Sequence, residues 1–102
     1  MSISVIATGD SLLTQRLPRN DESCLKIKTL LETADVRFTN FELLVHDFEV
    51  SPAAVSGGTW VAARPPIIQD LNWLGFNLYA CATNHSLDLG HEGLITTMRH
   101  LD

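Results

Sequence analysis

The chain has 102 residues, of which 45% are hydrophobic, and a formal net charge of -5. This length fits one small domain or part of a larger one, and the hydrophobic content excludes a disordered segment. The acidic balance and the lack of clustered Lys and Arg argue against a nucleic-acid surface. No apolar stretch approaches the ~18 residues of a membrane span and no secretory signal is evident, so we expect a cytoplasmic protein without a membrane span.

The N-terminal third of the chain predicts one strand and one helix. A β-rich run over residues 3–8 is followed by Gly9 and Asp10, where the glycine permits a sharp turn and the carboxylate comes just past the strand end. Acidic and capping residues at positions 20–23 precede apolar residues at helical spacing. This pattern predicts a helix over residues 22–34.

The middle of the chain predicts a second strand and a long loop. The strand covers residues 36–41, so that Asn40 and Glu42 stand at its end. Residues 43–59 have no hydrophobic period and contain proline, serine and paired glycines. We therefore expect an irregular surface loop there, of the kind that is either functional or poorly ordered.

The last third predicts a helix, a buried strand and a further helix. Two prolines open a helix over residues 66–74, which Gly75 can end. An apolar run predicts a strand over residues 77–82 that is covered on both faces, and a helix over residues 91–101 follows. This order of elements favours an α/β layer with parallel strands and right-handed crossovers.

Each predicted strand ends beside side chains that can bind a metal ion. Because parallel strands bring their carboxyl ends to one edge of a sheet, we expect these side chains to lie together. Carboxylates, amide oxygens and an imidazole suit Mg, Mn, Fe or Zn, although each residue alone could be an ordinary turn or hydrogen-bonding residue. The set is Asp10, Asn40, Glu42, Asn84 and His85. The remaining histidines, His46, His91 and His100, are expected at the surface.

Three motifs resemble, in the same order, those of the bacterial capsule-synthesis CapA family, which acts in poly-γ-glutamate biosynthesis. They are Ile6-Ala-Thr-Gly9-Asp10, Phe38-Thr-Asn40-Phe-Glu42 and Ala82-Thr-Asn84-His85-Ser-Leu-Asp88-Leu-Gly90. This family is similar to the calcineurin-like metallophosphoesterases, in which a sandwich of sheets flanked by helices surrounds a two-metal centre. The resemblance implies that residues 1–102 are a single partial domain, the N-terminal half of such a sandwich.

The resemblance also implies roles for individual residues. Asp10, Glu42 and Asn84 would be ligands of the divalent metals, with Glu42 as a candidate bridge between two ions. His85 would protonate the leaving group or stabilise developing charge. The two remaining residues would position others: Asn40 would orient Glu42 or the attacking water, and Asp88 would hold the His85 ring or the turn. No organic cofactor is implied.

Two departures from the phosphoesterase pattern concern the metal ligands. Asp10 is followed by Ser11 and Leu12, whereas a standard phosphoesterase has Asp-x-His, so one expected ligand is absent. Glu42 stands where a shorter aspartate is usual. The other histidine ligands of such domains come from the C-terminal half. We therefore expect this chain alone to bind metal weakly, to be inactive, and to self-associate through an incomplete sheet.

Two functions are compatible with these residues. The first is a metal-dependent hydrolase that acts on a phosphoester or on an amide of a γ-linked glutamate polymer. The alternative is a non-catalytic accessory or polymer-binding component of capsule synthesis with a partial metal site. A nucleotide-binding module is disfavoured because neither G-x-G-x-x-G nor G-x-x-x-x-G-K-[ST] occurs.

Overall fold

The computed structural model describes residues 1–56 and 58–102 and contains two parallel sheets with flanking helices. The main sheet has the strands β1 (Val5–Ser11), β2 (Val36–Phe41) and β5 (Leu78–Ala80), in the order β1-β2-β5. The smaller sheet pairs β3 (Leu44–Val45) with β4 (Ala62–Ala63). The predicted α/β class with parallel strands is confirmed, and it is consistent with part of a metallophosphoesterase-like fold.

Three helices lie within the described residues, and local chemistry accounts for the start of the first and the end of the second. They are α1 (Glu22–Leu31), α2 (Pro66–Leu74) and α3 (Gly90–Leu101). The Asp21 carboxylate caps α1 by accepting hydrogen bonds from the backbone N–H groups of Ser23 and Cys24. Gly75 ends α2 with a φ of 129°, in the left-handed region that favours glycine.

A bulge in β1 changes the predicted end of that strand. Val5 to Ala7 pair with the first three residues of β2, and the register resumes with Asp10 opposite Asn40. Thr8 and Gly9 therefore both lie opposite the single residue Thr39. The prediction of a strand over residues 3–8 that ends in a turn at Gly9 was wrong, because pairing with β2 continues the strand to Ser11.

Other boundaries differ from the predicted ones by a few residues. Helix α1 ends before residue 34, because the N–H groups of Thr33 and Ala34 bond three residues back in a tighter turn. Strand β5 stops short of residue 82, because the Cys81 carbonyl accepts a hydrogen bond from Ser86 Oγ at 2.7 Å. The segment 43–59, expected to be irregular throughout, contains β3.

The hydrophobic core surrounds α2. Its buried side chains come from α2, the end of α1, the end of β2, and the strands β3 and β4. Helix α3 is attached to β3 by Thr97, whose hydroxyl accepts a hydrogen bond from the Val45 N–H at 3.0 Å. The main members of the core are Leu31, Phe41, Leu43, Val45, Ala63, Ile67, Ile68, Leu71, Leu74 and Phe76.

Asp70 on α2 holds the segment between β1 and α1. Its side chain is fully buried, and its carboxylate accepts hydrogen bonds from Arg16 Nε at 2.6 Å and from the Leu17 N–H at 2.9 Å. Arg19 adds two further bonds at 3.1 and 3.0 Å. The bonds from Arg16, aided by those from Leu17 and Arg19, hold the pKa of Asp70 well below its usual range.

Large apolar side chains remain exposed on two strands of the main sheet and on two helices. Among them are Val5 on β1, Ile27 on α1, Leu78 on β5 and Met98 on α3. Self-association stays a prediction, and these are side chains that it would cover. None of the helices within residues 1–56 and 58–102 is both long and apolar enough to cross a membrane.

Candidate functional site

Asp10, Asn40 and Glu42 form one hydrogen-bonded group, which we call the acidic cluster. The Asn40 amide nitrogen donates to Asp10 Oδ1 at 2.8 Å and to Glu42 Oε2 at 2.5 Å. Side chains two residues apart on an extended chain lie on the same side, which places Asn40 and Glu42 together. The cluster lies at the carboxyl ends of β1 and β2, the edge where parallel α/β sheets bind ligands.

The bulge in β1 is what brings Asp10 to Asn40. If the register of the first three residue pairs continued unchanged, Gly9 would lie opposite Asn40 and Asp10 would lie opposite Phe41. The extra residue moves Asp10 by one position into register with Asn40. Two hydrogen bonds hold the bulged segment: Thr8 Oγ1 donates to the Phe38 carbonyl at 3.2 Å, and Thr39 Oγ1 donates to the Gly9 carbonyl at 3.0 Å.

His85 and Asp88 form a second group, the histidine-aspartate pair. His85 Nδ1 lies 2.7 Å from Asp88 Oδ2, and the same oxygen accepts a hydrogen bond from the Val61 N–H at 2.7 Å. Asp88 is buried, and its backbone carbonyl accepts from the Ala53 N–H at 2.8 Å. Because a carboxylate only accepts, Nδ1 is the donor in this pair, and His85 Nε2 is left for other partners.

A tight turn after β5 presents His85. Ser86 Oγ donates to the Cys81 carbonyl and accepts a hydrogen bond from the Thr83 N–H at 2.8 Å. The His85 N–H donates to Thr83 Oγ1 at 3.0 Å. The roles of Thr83 and Ser86 were missed in the sequence, although hydroxyl residues that bond to nearby backbone are typical of such turns.

Asn84 lies with the histidine-aspartate pair. It is exposed and lines a cavity of about 230 Å³ together with His85, Asp88, Ser56, Gly58 and Thr59. Among the described residues, no hydrogen bond joins this group to the acidic cluster. The structure thus places the predicted site residues in two groups, one at the ends of β1 and β2 and the other after β5.

The acidic cluster fits part of the coordination sphere of a divalent ion. Asp10 and Glu42 offer carboxylate oxygens that converge on one atom, the Asn40 amide nitrogen, and hard divalent ions prefer such oxygens. Within residues 1–56 and 58–102, no three His, Cys, Asp or Glu side chains lie close enough together to hold a metal. The two carboxylates can therefore supply two ligands, and a complete set needs further groups.

Comparison with known proteins places the chain in a family. It matches the family model for the bacterial capsule synthesis protein PGA_cap over residues 4–102. It is 39% identical over 103 residues to two proteins of Sinorhizobium fredii (strain NBRC 101917 / NGR234), the uncharacterized proteins y4sH and y4uA. These alignments cover 97% of this chain but 22% of each relative, so the chain spans about a fifth of the length of the curated relatives that it matches. The chain belongs to the bacterial capsule synthesis protein family that its three sequence motifs resemble.

Proposed function

We propose that this chain supplies part of the centre of a metal-dependent hydrolase, with Asp10 and Glu42 as ligands of a divalent ion. The observation that carries the proposal is the single Asn40 amide that donates to both carboxylates. Two carboxylates held this close repel each other unless positive charge lies between them. The amide hydrogens supply part of that charge, and a divalent ion at the same edge would supply the rest.

The remaining site residues have distinct roles in this proposal. Asn40 keeps the two carboxylates turned towards each other, and Asn84 offers its amide oxygen as a further ligand. His85 exchanges a proton at Nε2, since its Nδ1 is bonded to Asp88. A bound divalent ion would act as a Lewis acid towards an oxygen of the substrate.

The substrate that we propose is a phosphoester or an amide of a γ-linked glutamate polymer. Both are anionic or become anionic during hydrolysis, whereas the chain has a net charge of -5. An acidic protein repels such a substrate unless a cation reverses the local charge. Membership in a capsule synthesis family and the need for a cation therefore support the same proposal.

A second candidate function is an accessory or polymer-binding component of capsule synthesis without catalysis. It is favoured by one observation, that the described residues bring together no three metal-binding side chains of the His, Cys, Asp and Glu type. In that case the acidic cluster would hold a cation for binding alone. The two candidates differ in whether metal binding is accompanied by hydrolysis.

The experiment that separates them uses a full-length protein that contains this sequence. Metal content is measured by mass spectrometry, and hydrolysis is followed with bis(p-nitrophenyl) phosphate and with a γ-glutamyl peptide. We expect Asp10→Ala and Glu42→Ala to lose both metal and activity, and His85→Ala to keep metal and lose rate. A matched control, Glu92→Gln, removes an exposed carboxylate from α3 and should change neither quantity. Metal binding without hydrolysis of either substrate would favour the accessory function.

A further inference from the structure

A cavity outside both groups of site residues contains an unusual set of side chains. It has a volume of about 230 Å³, which suits a fragment of a ligand and is below the ~300–1,000 Å³ of pockets for drug-sized molecules. Its lining combines a cation, an imidazole, a hydroxyl and an aromatic ring. These residues are Thr14, His46, Phe48, Ala62, Ala63 and Arg64.

The guanidinium of Arg64 is fixed at this cavity with donors to spare. Its Cζ lies 4.6 Å from the centroid of the Phe48 ring, and one of its terminal nitrogens pairs with Asp47. A guanidinium has five N–H donors, so a single ion pair leaves several of them for another acceptor. The aromatic ring holds the planar group in one orientation, which is how Arg recognises carboxylate and phosphate oxygens.

The backbone at Phe48 is strained in a way that exposes its ring. Phe48 has a φ of 58°, a left-handed conformation that is rare for a bulky residue, and its side chain is 82% exposed. Hydrogen bonds to Glu49 hold this turn, from the Asp47 N–H at 2.6 Å and from His100 at 2.8 Å. Strain of this kind collects at ligand-binding sites, and here it places an exposed ring beneath Arg64.

His46 lines the cavity with one of its two ring nitrogens shielded. It was expected at the surface, but it is half-buried, and its Nδ1 is buried with no hydrogen-bond partner among the described residues. Its backbone N–H donates to the Ala63 carbonyl at 3.2 Å, which fixes it beside β4 and Arg64. Because Nδ1 is shielded, an anion in the cavity can accept a hydrogen bond from this ring only through Nε2.

Two residues that line the cavity are close in sequence to members of the acidic cluster. Thr14 is four residues after Asp10, and His46 is four residues after Glu42. Four residues span at most about 14 Å even when fully extended. A substrate of modest length that binds at the acidic cluster can therefore also reach the cavity that Thr14 and His46 line.

We propose that Arg64 and His46 form an anion-binding subsite that holds a carboxylate or phosphate of the substrate beside Phe48. Assigning this anion to the substrate depends on the proposed function, whereas anion binding itself does not. The anion would accept hydrogen bonds from the Arg64 donors that Asp47 leaves and from His46 Nε2. Thr14 would add a hydroxyl at the mouth of the cavity.

The test is an NMR titration of the His46 imidazole and the Arg64 side chain in the isotope-labelled protein. Inorganic phosphate and glutarate are added separately to protein that has been freed of metal on a chelating resin, so that metal binding at the acidic cluster cannot affect the result. We expect saturable shifts with at least one anion, and Arg64→Gln should weaken that binding by about tenfold or more. Arg99→Gln, which removes the same charge from the exposed face of α3, should leave the affinity unchanged.

The outcomes distinguish the source of the anion and the validity of the subsite. Saturation with phosphate alone would indicate a phosphoester, saturation with glutarate alone a carboxylate polymer, and saturation with both the shared anionic chemistry. If Arg64→Gln fails to fold, Arg64→Lys keeps the charge without the planar donor set and should still weaken binding. Linear, non-saturating shifts with both anions, or equal weakening by Arg64→Gln and Arg99→Gln, would overturn the proposal.

Discussion

His85 and Asp88 are joined by a hydrogen bond of 2.7 Å, and the same Asp88 oxygen also accepts from the Val61 N–H. One carboxylate therefore fixes both the imidazole and the start of β4. We predict that Asp88→Ala removes the acceptor of both bonds, so that His85 loses its preference for a proton on Nδ1. In the full-length protein, activity should fall by roughly 10–100-fold, as for other residues that orient catalytic or metal-bound histidines.

Imidazole NMR checks this prediction independently of activity. In the native chain, the neutral His85 ring should carry its proton on Nδ1, and Asp88→Ala should shift that proton towards Nε2. His91 is exposed at the start of α3 and serves as an internal control that should not change. An unchanged His85 tautomer in Asp88→Ala would show that Asp88 does not position the ring.

The second prediction concerns stability in acid and rests on Asp70. Because the folded-state pKa of Asp70 is lowered, its contribution to stability is present above the unfolded-state pKa of about 3.9 and is lost as the pH falls below it. Asp35 and Glu49 contribute in the same direction, since hydrogen bonds from Ser4 and His100 lower their pKa values. The free energy of unfolding should therefore decline from about pH 5 downwards.

Replacing Asp70 should weaken this dependence. Asp70→Asn removes the charge that Arg16 and Arg19 bind, and both arginines are about half-exposed and can return to water. We expect a loss of about 1–3 kcal/mol at neutral pH and a shallower decline in acid. Urea unfolding over the acid range measures both effects, with Glu92→Gln as control. If the free energy of unfolding declined in acid as steeply for Asp70→Asn as for the native chain, Asp70 would not be the source of this pH dependence.

The third prediction uses Tyr79, the one tyrosine of the chain. Burial raises the pKa of its phenol to about 12, and its hydroxyl donates to Asn72 Oδ1 at 2.6 Å. The raised pKa contributes stability that is present below pH ~10 and is lost as the pH rises towards the folded-state value. When tyrosinate absorbance is followed against pH, the native chain should therefore have a midpoint at a pH well above that of the chain in concentrated urea. Equal midpoints with and without urea would show that the phenol is not buried.

The fourth prediction concerns the contact between α3 and β3. Alanine normally stabilises a helix relative to glycine by about 1 kcal/mol. At Gly93, however, an added methyl group would overlap Leu89 Cβ and approach Leu44 Cδ1 to 3.6 Å. We predict that Gly93→Ala destabilises the chain by about 1–3 kcal/mol through overpacking. Urea unfolding measures this, and Ile95→Ala, on the exposed side of α3, should have a much smaller effect. A stabilised Gly93→Ala variant would contradict the packing.

The sequence predicted those strands and helices that are defined by residues close together in the chain. Strand β2 and helix α2 have the predicted bounds, because a short run of strand-forming residues in one case and proline and glycine punctuation in the other define them within a few residues. The strands β3 and β4 were not predicted, since two residues carry no period. The bulge at Thr8 and Gly9 depends on pairing with Thr39, about 30 residues away, and local patterns do not contain it.

The candidate site was predictable to a similar extent. Parallel strand ends were enough to predict that Asp10, Asn40 and Glu42 lie together, and the structure joins them by hydrogen bonds. The bond between Asn40 and Asp10 depends on the bulge and could not be derived from spacing. The position of Asn84 relative to the acidic cluster depends on the turn after β5, whose bonds involve side chains rather than a repeating pattern.

The most direct test of the metal proposal is a titration with Mn²⁺ followed by electron paramagnetic resonance. We predict that the chain binds Mn²⁺ weakly, with a dissociation constant on the order of 10⁻⁴ M, as open oxygen sites do. Asp10→Asn and Glu42→Gln should each weaken binding by about tenfold or more, because each removes a charged ligand. Glu92→Gln should bind as the native chain does. Equal affinity in Asp10→Asn, Glu42→Gln and the native chain would contradict the acidic cluster as a metal site.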